Sequence, residues 1–135
     1  MMPGSSFLRA LNSPDETPGE VSYTSIYTQF DELVQPNSTS RLRGATNILE
    51  QDLCPGRPVE HLGISSGDAV AFALAVDAFS HPGPADPARF DKANCAKATM
   101  DGAQPFNGSA DARYLTNPPQ YHWTTAEPSL QLYAR

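Results

Sequence analysis

Proline and glycine interrupt this chain so often that it can form only short regular elements. The 135 residues include thirteen prolines and nine glycines, and neither residue suits the interior of a helix or a strand. A hydrophobic fraction of 39% is still enough to support the core of one ordinary domain. We therefore predict a single domain in which loops make up much of the chain.

The charge and the apolar runs of the chain argue against two classes of partner. The formal net charge is −6, with nine lysines and arginines and no basic run, whereas nucleic acids and anionic membranes attract clustered positive charge. The longest apolar run, residues 69–76, is too short to cross a bilayer. We also expect no signal peptide within these residues, because no opening segment has a basic stretch followed by an apolar one. We expect neither nucleic acid binding nor specific membrane insertion.

The two cysteines, Cys54 and Cys95, can form one disulfide or none. Neither lies in a C-x-x-C motif or in a cluster of cysteine and histidine, so a zinc site or a redox centre is not favoured. We expect no metal ion and no cofactor.

Two predicted strands are each followed by a side chain that can take part in acid–base chemistry. Residues 21–27 alternate and are rich in β-branched and aromatic side chains, and residues 46–53 predict a second strand. Asp31 follows the first strand, and His61 lies in a proline-bracketed loop after the second. Because sites in open α/β sheets lie outside the carboxyl ends of strands, these two residues are candidates for a catalytic pair.

The segment after His61 predicts a helix that is buried on most of its sides. Apolar residues recur at helical spacing from Ser66 or Asp68 to about Ser80. Shorter helices are predicted at residues 7–11 and 86–95. Residues 103–135 show no sustained period and predict an irregular tail.

Two interpretations of the catalytic chemistry remain open. Residues 63–67 match G-x-S-x-G, so Ser65 could be the nucleophile of a small autonomous esterase. However, the strand before such a serine should be apolar, and residues 58–62 contain proline, glutamate and histidine. In α/β-hydrolases the serine comes first, then the acid, then the histidine. Asp31 and His61 fit the second and third positions, which would place the serine before Met1 and leave Ser65 to cap the following helix.

Several segments of the chain resemble the C-terminal part of the secreted serine lipases of the α/β-hydrolase superfamily that are similar to Candida antarctica lipase B. The most distinctive is D-E-L-V-Q-P at residues 31–36. The others are Y-T-S-I-Y at 23–27, the spacing of seven residues from Cys54 to His61, and the apolar helix that ends in H-P-G-P at 81–84. The resemblance covers roughly residues 3–95.

This resemblance implies a partial α/β-hydrolase fold over residues 1–102, with only the C-terminal strands and helices present, followed by the proline-rich tail at 103–135. In such a lipase Asp31 would orient and stabilise His61, and His61 would act as general base and then general acid in ester hydrolysis. Cys54 and Cys95 would correspond to a disulfide.

The resemblance also implies a substrate pocket and a cellular location. Leu33 and Val34 would line the acyl pocket, with Phe72 and Leu74 as weaker candidates, and the protein would be secreted. The nucleophile and the oxyanion hole of these lipases lie upstream of Met1, so the chain alone is predicted to be inactive. Its partner would be an ester or lipid substrate once an upstream half completes it; a non-catalytic lipid-binding or ester-binding remnant is the third hypothesis.

Overall fold

The computed structural model describes residues 5–11 and 15–103, which belong to two compact units. In the first unit the described part is helix α1, Ser6–Leu11. It begins as the sequence predicts, because the Ser5 hydroxyl accepts a hydrogen bond from the Leu8 N–H at 3.2 Å. The second unit comprises residues 15–103. The tail predicted at 103–135 falls outside the described residues from position 104 onward.

A parallel pair of strands forms the sheet in the described part of the second unit. Strand β1, Thr24–Tyr27, pairs with strand β2, Thr46–Leu49, in a register that places Ile26 opposite Ile48. The connection between them contains a 3₁₀ turn at Asn37–Ser40. Because the strands are parallel, their carboxyl ends lie at the same edge of the sheet, and the segments that carry Asp31 and His61 both leave from that edge.

Both strands are shorter than the sequence predicts. Strand β1 begins at Thr24 rather than at Val21, which is 66% exposed. Strand β2 ends at Leu49, and the next residues form the helical turn α2, Glu50–Leu53. In this turn the adjacent side chains of Glu50 and Gln51 are both buried, whereas neighbouring side chains of a strand point to opposite faces.

Two helices follow this turn, and one of them corrects the sequence prediction. Helix α4, Ala69–Ser80, is present as predicted, with Val70 and Leu74 fully buried. The segment before it was predicted to be a loop, but it forms helix α3, His61–Ser66. Glu60 begins that helix, because its carboxylate accepts hydrogen bonds from the first free N–H groups, at 2.8 Å from Leu62 and 2.7 Å from Gly63.

The cap of α4 is an aspartate and not the predicted serine. The Asp68 carboxylate accepts from the N–H groups of Val70 and Ala71 at 2.7 and 2.9 Å. The single helix predicted at residues 86–95 is instead two 3₁₀ turns, Pro87–Arg89 and Lys92–Ala96. Each of these turns is also capped by an aspartate that precedes it. Carboxylates are favoured at all of these helix starts because they satisfy N–H groups that have no partner within the helix.

The core of the second unit forms where α4 packs against the sheet. Its buried residues are Ile48, Cys54, Val70, Leu74 and Ala85. Cys54 also forms a disulfide with Cys95, which confirms the predicted pairing. The bond joins the end of α2 to the 3₁₀ turn at Lys92–Ala96 and so holds the start of the segment that leads to His61.

A buried carboxyl group lies beside this core. Glu50 is fully buried, and neither of its carboxyl oxygens has a hydrogen-bond partner among the described residues. Arg57 Nε lies 3.8 Å from Glu50 Oε2, but the Arg57 guanidinium also hydrogen-bonds to Asp68. Burial, together with the nearby Asp68 carboxylate, raises the pKa of Glu50 to about 8, and Arg57 opposes the shift only in part. Glu50 is therefore mostly protonated at neutral pH.

The Glu50→Gln variant should be more stable than the original chain at alkaline pH. Glu50 ionises in the unfolded chain near pH 4.5 but in the folded chain only near pH 8, so its contribution is complete below the lower value and is lost as pH rises to the higher one. We expect a gain of roughly 4 kcal/mol in unfolding free energy at pH 8 that vanishes below about pH 4.5. Urea unfolding at several pH values measures this difference in unfolding free energy. The control is Asp52→Asn, which changes an exposed acid of the same helix. If the difference in unfolding free energy between Glu50→Gln and the original chain did not change with pH, the raised pKa of Glu50 would be contradicted.

Candidate active site

The structure brings Asp31 and His61 into direct contact. His61 Nδ1 lies 2.8 Å from Asp31 Oδ2 although the two residues are 30 positions apart. Asp31 belongs to the loop that leaves β1, and His61 is the first residue of α3. The parallel register of β1 and β2 brings these two segments together at one edge of the sheet.

The Asp31 carboxylate is fixed on both of its oxygens. Asp31 is 6% exposed, and its Oδ1 accepts hydrogen bonds from the N–H groups of Leu33 and Val34 at 2.9 and 2.7 Å. This leaves Oδ2 for His61. Burial by itself raises the pKa of Asp31, but the hydrogen bonds from Val34, His61 and Leu33 outweigh it and hold that pKa below its ordinary value. Asp31 is therefore an ionised, oriented acceptor at neutral pH.

The His61 ring is polarised by the acids around it. The hydrogen bond to Asp31 raises the pKa of His61, burial opposes this, and the charges of Asp31, Glu32 and Glu60 add to the increase. About a third of the side chain is exposed. Because Nδ1 faces Asp31, Nε2 is the nitrogen that can exchange a proton with another molecule, and it has no partner among the described residues. The pair can therefore act as an oriented general base.

Two acids near His61 were not identified from the sequence. Glu32 Oε2 accepts a hydrogen bond from the backbone N–H of His61 at 3.3 Å, which links the acid-bearing loop to the first turn of α3. Glu60 caps the same helix through its carboxylate. An acid directly before a helix is a recognisable cap signal, but it was missed because the segment that carries His61 was interpreted as a loop.

The Ser65 hydroxyl makes no hydrogen bond with the Asp31–His61 pair among the described residues. Ser65 is exposed in the C-terminal half of α3, and its hydroxyl donates to the Leu62 carbonyl at 3.1 Å. The G-x-S-x-G match therefore lies within a helix and its end, and not on a sharp turn between a strand and a helix, which is the geometry that activates such a serine. The prediction that the Ser65 hydroxyl caps the next helix is also wrong, because Asp68 performs that role.

A serine-directed phosphonate should not label Ser65. The Ser65 hydroxyl donates to the Leu62 carbonyl and makes no hydrogen bond with His61 among the described residues, so the geometry that activates a serine nucleophile is not formed. We expect no covalent adduct by intact mass and no hydrolysis of short-chain nitrophenyl esters by the isolated chain above background. An adduct that disappears in Ser65→Ala would restore the hypothesis of an autonomous esterase.

The four pocket candidates do not lie together. Leu33 is 65% exposed and Val34 is half-buried, and both donate their N–H groups to Asp31. Leu74 packs in the core, and Phe72 lies half-exposed on α4. A cavity of about 330 Å³ between α4 and residues 89–101 includes Phe72 and Leu74 but neither Asp31 nor His61 among its lining residues. The acyl-pocket roles of all four therefore remain predictions.

Two kinds of feature were not found in residues 5–11 and 15–103. No group of three or more histidine, cysteine, aspartate or glutamate side chains there could hold a metal ion. Within the same residues no helix has the length and hydrophobicity needed to cross a membrane.

The parallel strands, the helix after them and the aspartate–histidine pair at the sheet edge together form a lipase-like fold. The crystal structure of Aspergillus fumigatus lipase B is similar to this chain, with a TM-score of 0.74 and 30% sequence identity over 98% of this chain and 36% of the lipase chain. The resemblance to serine lipases found in the sequence is thereby confirmed, and the architecture is consistent with a partial α/β-hydrolase fold. This chain spans about a third of the length of that lipase. No protein-family model and no curated protein matches it.

Proposed function

We propose that this chain supplies the acid and the histidine of a Ser-His-Asp triad in a secreted carboxylic ester hydrolase of the triacylglycerol lipase type. The observation that carries the proposal is the 2.8 Å contact between His61 Nδ1 and Asp31 Oδ2. Asp31 is oriented by two backbone N–H groups, as an acid must be if it is to fix the tautomer of a catalytic histidine. The serine and the oxyanion hole would come from protein outside these 135 residues.

The chemistry that follows uses each nitrogen of His61 for a different purpose. Nε2 accepts the proton of the serine hydroxyl while the serine oxygen attacks the ester carbonyl, and Asp31 stabilises the imidazolium that forms. His61 then gives the proton to the departing alkoxide, which leaves an acyl-enzyme. Water, deprotonated by the same nitrogen, releases the carboxylic acid and restores the serine.

Two further findings support the proposal. The similarity to Aspergillus fumigatus lipase B extends over nearly the whole of this chain but over 36% of that lipase, which agrees with a role as one part of a hydrolase. The Cys54–Cys95 disulfide agrees with secretion, because disulfides persist mainly in oxidising compartments.

A chimera tests the proposal directly. The segment of Aspergillus fumigatus lipase B that this chain matches would be replaced by the full 135-residue chain, and the folded product would be assayed with short-chain nitrophenyl esters and with triacylglycerol emulsions. We expect hydrolysis that is lost in His61→Ala and kept in Asp52→Asn. A chimera that folds and binds a non-hydrolysable ester analogue but hydrolyses nothing would contradict the proposal and favour the non-catalytic remnant.

A further inference from the structure

Two buried polar side chains, Thr28 and Gln51, lie between the segments that carry Asp31 and His61. Thr28 follows the last residue of β1 and is fully buried; Gln51 lies in α2 and is 7% exposed. Among the described residues, neither side chain hydrogen-bonds to Asp31 or His61. A buried polar group is costly unless its hydrogen bonds are made, so the partners of these two residues indicate what they do.

Gln51 connects the two segments through both ends of its amide. Its Oε1 accepts from the backbone N–H of Gln29 at 3.0 Å, in the segment that leads to Asp31. Its Nε2 donates to the Arg57 carbonyl at 2.9 Å, in the segment that leads to His61. The same Nε2 donates to the Thr28 hydroxyl at 3.0 Å.

The Thr28 hydroxyl also links the Asp31 segment to the His61 segment. It donates to the Val59 carbonyl at 2.8 Å, two residues before His61, and it accepts from the Phe30 N–H at 3.1 Å, next to Asp31. Val59 is itself buried, so this bond is shielded from water. Hydrogen bonds in such surroundings are stronger than exposed ones and are costly to break singly.

We propose that Thr28 and Gln51 are positioning residues that hold the Asp31 segment and the His61 segment at the separation needed for the Asp31–His61 hydrogen bond. The catalytic meaning of this inference rests on the proposed function. The other link between the two segments near the pair, from the His61 N–H to Glu32, is exposed and 3.3 Å long. The buried hydrogen bonds of Thr28 and Gln51 therefore contribute most to the alignment of Asp31 with His61. A displacement of about 1 Å is enough to slow a positioned reaction by roughly 100-fold.

The first test needs no activity and uses the full 135-residue chain. NMR titration of the imidazole signals, of which the sequence provides three, follows the pKa of His61, which the contact with Asp31 raises. Thr28→Val has the same shape but no hydroxyl, and Thr28→Ser keeps the hydroxyl. We expect the pKa of His61 to fall towards its ordinary value in Thr28→Val and to remain raised in Thr28→Ser.

The matched control is Thr17→Val. It makes the same chemical change at a hydroxyl that bonds to the Arg43 carbonyl, in a different part of the unit, and it should leave the His61 titration unchanged. Gln51→Met, which keeps the length of the side chain and loses its polar atoms, should reproduce the effect of Thr28→Val. A raised pKa of His61 retained in folded Thr28→Val or folded Gln51→Met overturns the inference. Failure of both to fold, with Thr28→Ser and Thr17→Val folded, also overturns it, because the role would then be structural only.

The second test measures kcat and KM in the lipase chimera. We expect Thr28→Val to lower kcat by roughly 10- to 100-fold with little change in KM, and Thr28→Ser to restore most of the rate. The two tests separate the two proposals. An inactive chimera together with a shifted His61 titration would contradict the proposed function and leave the positioning role intact. An active chimera in which Thr28→Val changes neither kcat nor the titration would overturn the positioning role alone.

Discussion

Asp31→Asn should lower the kcat of the lipase chimera by roughly 10⁴-fold. An amide can still accept the two backbone hydrogen bonds that the carboxylate receives from Leu33 and Val34, so the loop should keep its shape. It cannot stabilise the imidazolium, and it allows the His61 ring to adopt the wrong tautomer. The expected loss is thus in rate and not in folding. Initial rates with a nitrophenyl ester, together with urea unfolding of the same samples, measure both quantities.

The pH dependence of the reaction provides a second test of the Asp31→Asn substitution. His61 must be neutral to accept a proton, and the hydrogen bond with Asp31 raises its pKa. Activity should therefore fall as pH decreases through that raised value. In Asp31→Asn the remaining activity should fall at a lower pH, because the interaction that raised the pKa of His61 has been removed.

Asp52→Asn is the matched control for this experiment, because it makes the same chemical change at an exposed acid of α2. Its rate and pH profile should match those of the unsubstituted chimera. A kcat for Asp31→Asn within about tenfold of the unsubstituted value, in folded protein, would refute the catalytic role of Asp31.

Removing the disulfide should be the most destabilising change outside the active site. The bond closes a loop with a sequence separation of 41, which corresponds to about 4 kcal/mol in the chain-entropy treatment. Replacing both cysteines by alanine should lower the unfolding free energy by about that amount. The buried Cys54 also contacts the core, so a small packing loss adds to the effect.

Urea unfolding of the oxidised chain, the reduced chain and the double alanine variant separates these contributions. The reduced chain retains both side chains, so its difference from the oxidised chain isolates the effect of the covalent bond. The variant Ser65→Ala, which loses one exposed hydroxyl, is a control that should remain close to the original stability. An oxidised and a reduced chain that unfold within about 1 kcal/mol of each other would contradict a stabilising role.

The sequence alone was sufficient to identify the two main residues of the candidate site. Two segments with strand character, an acid after the first and a histidine after the second, predict that Asp31 and His61 lie at one sheet edge, because parallel strands end on the same side. The helix at residues 69–80 was equally predictable from its apolar period and from the proline and glycine that follow it. The resemblance to serine lipases supplied the cysteine pairing.

The tertiary structure decided what surrounds these elements. Residues 50–53 carry a strand-like sequence but form the turn α2, in which Glu50 and Gln51 are both buried. Ser65 matches a nucleophile motif, but it lies within a helix and its hydroxyl donates to the Leu62 carbonyl. A motif specifies residue types and spacing, whereas the activation of a nucleophile depends on directions in space that spacing does not contain.

The buried hydrogen bonds of Thr28 and Gln51 show most clearly the difference between what the sequence predicts and what the tertiary structure decides. Thr28 and Gln51 have no motif and no periodic position in the sequence, and their function depends on hydrogen bonds between distant parts of the chain, from Thr28 to Val59 and from Gln29 to Gln51. The sequence determined by itself which segments form the sheet and the long helix, and which residues supply the acid and the histidine, because those properties depend on local composition and order. Only the tertiary structure decided which buried polar groups align them, because a hydrogen bond between distant segments exists only after the chain has brought its donor and acceptor within about 3 Å.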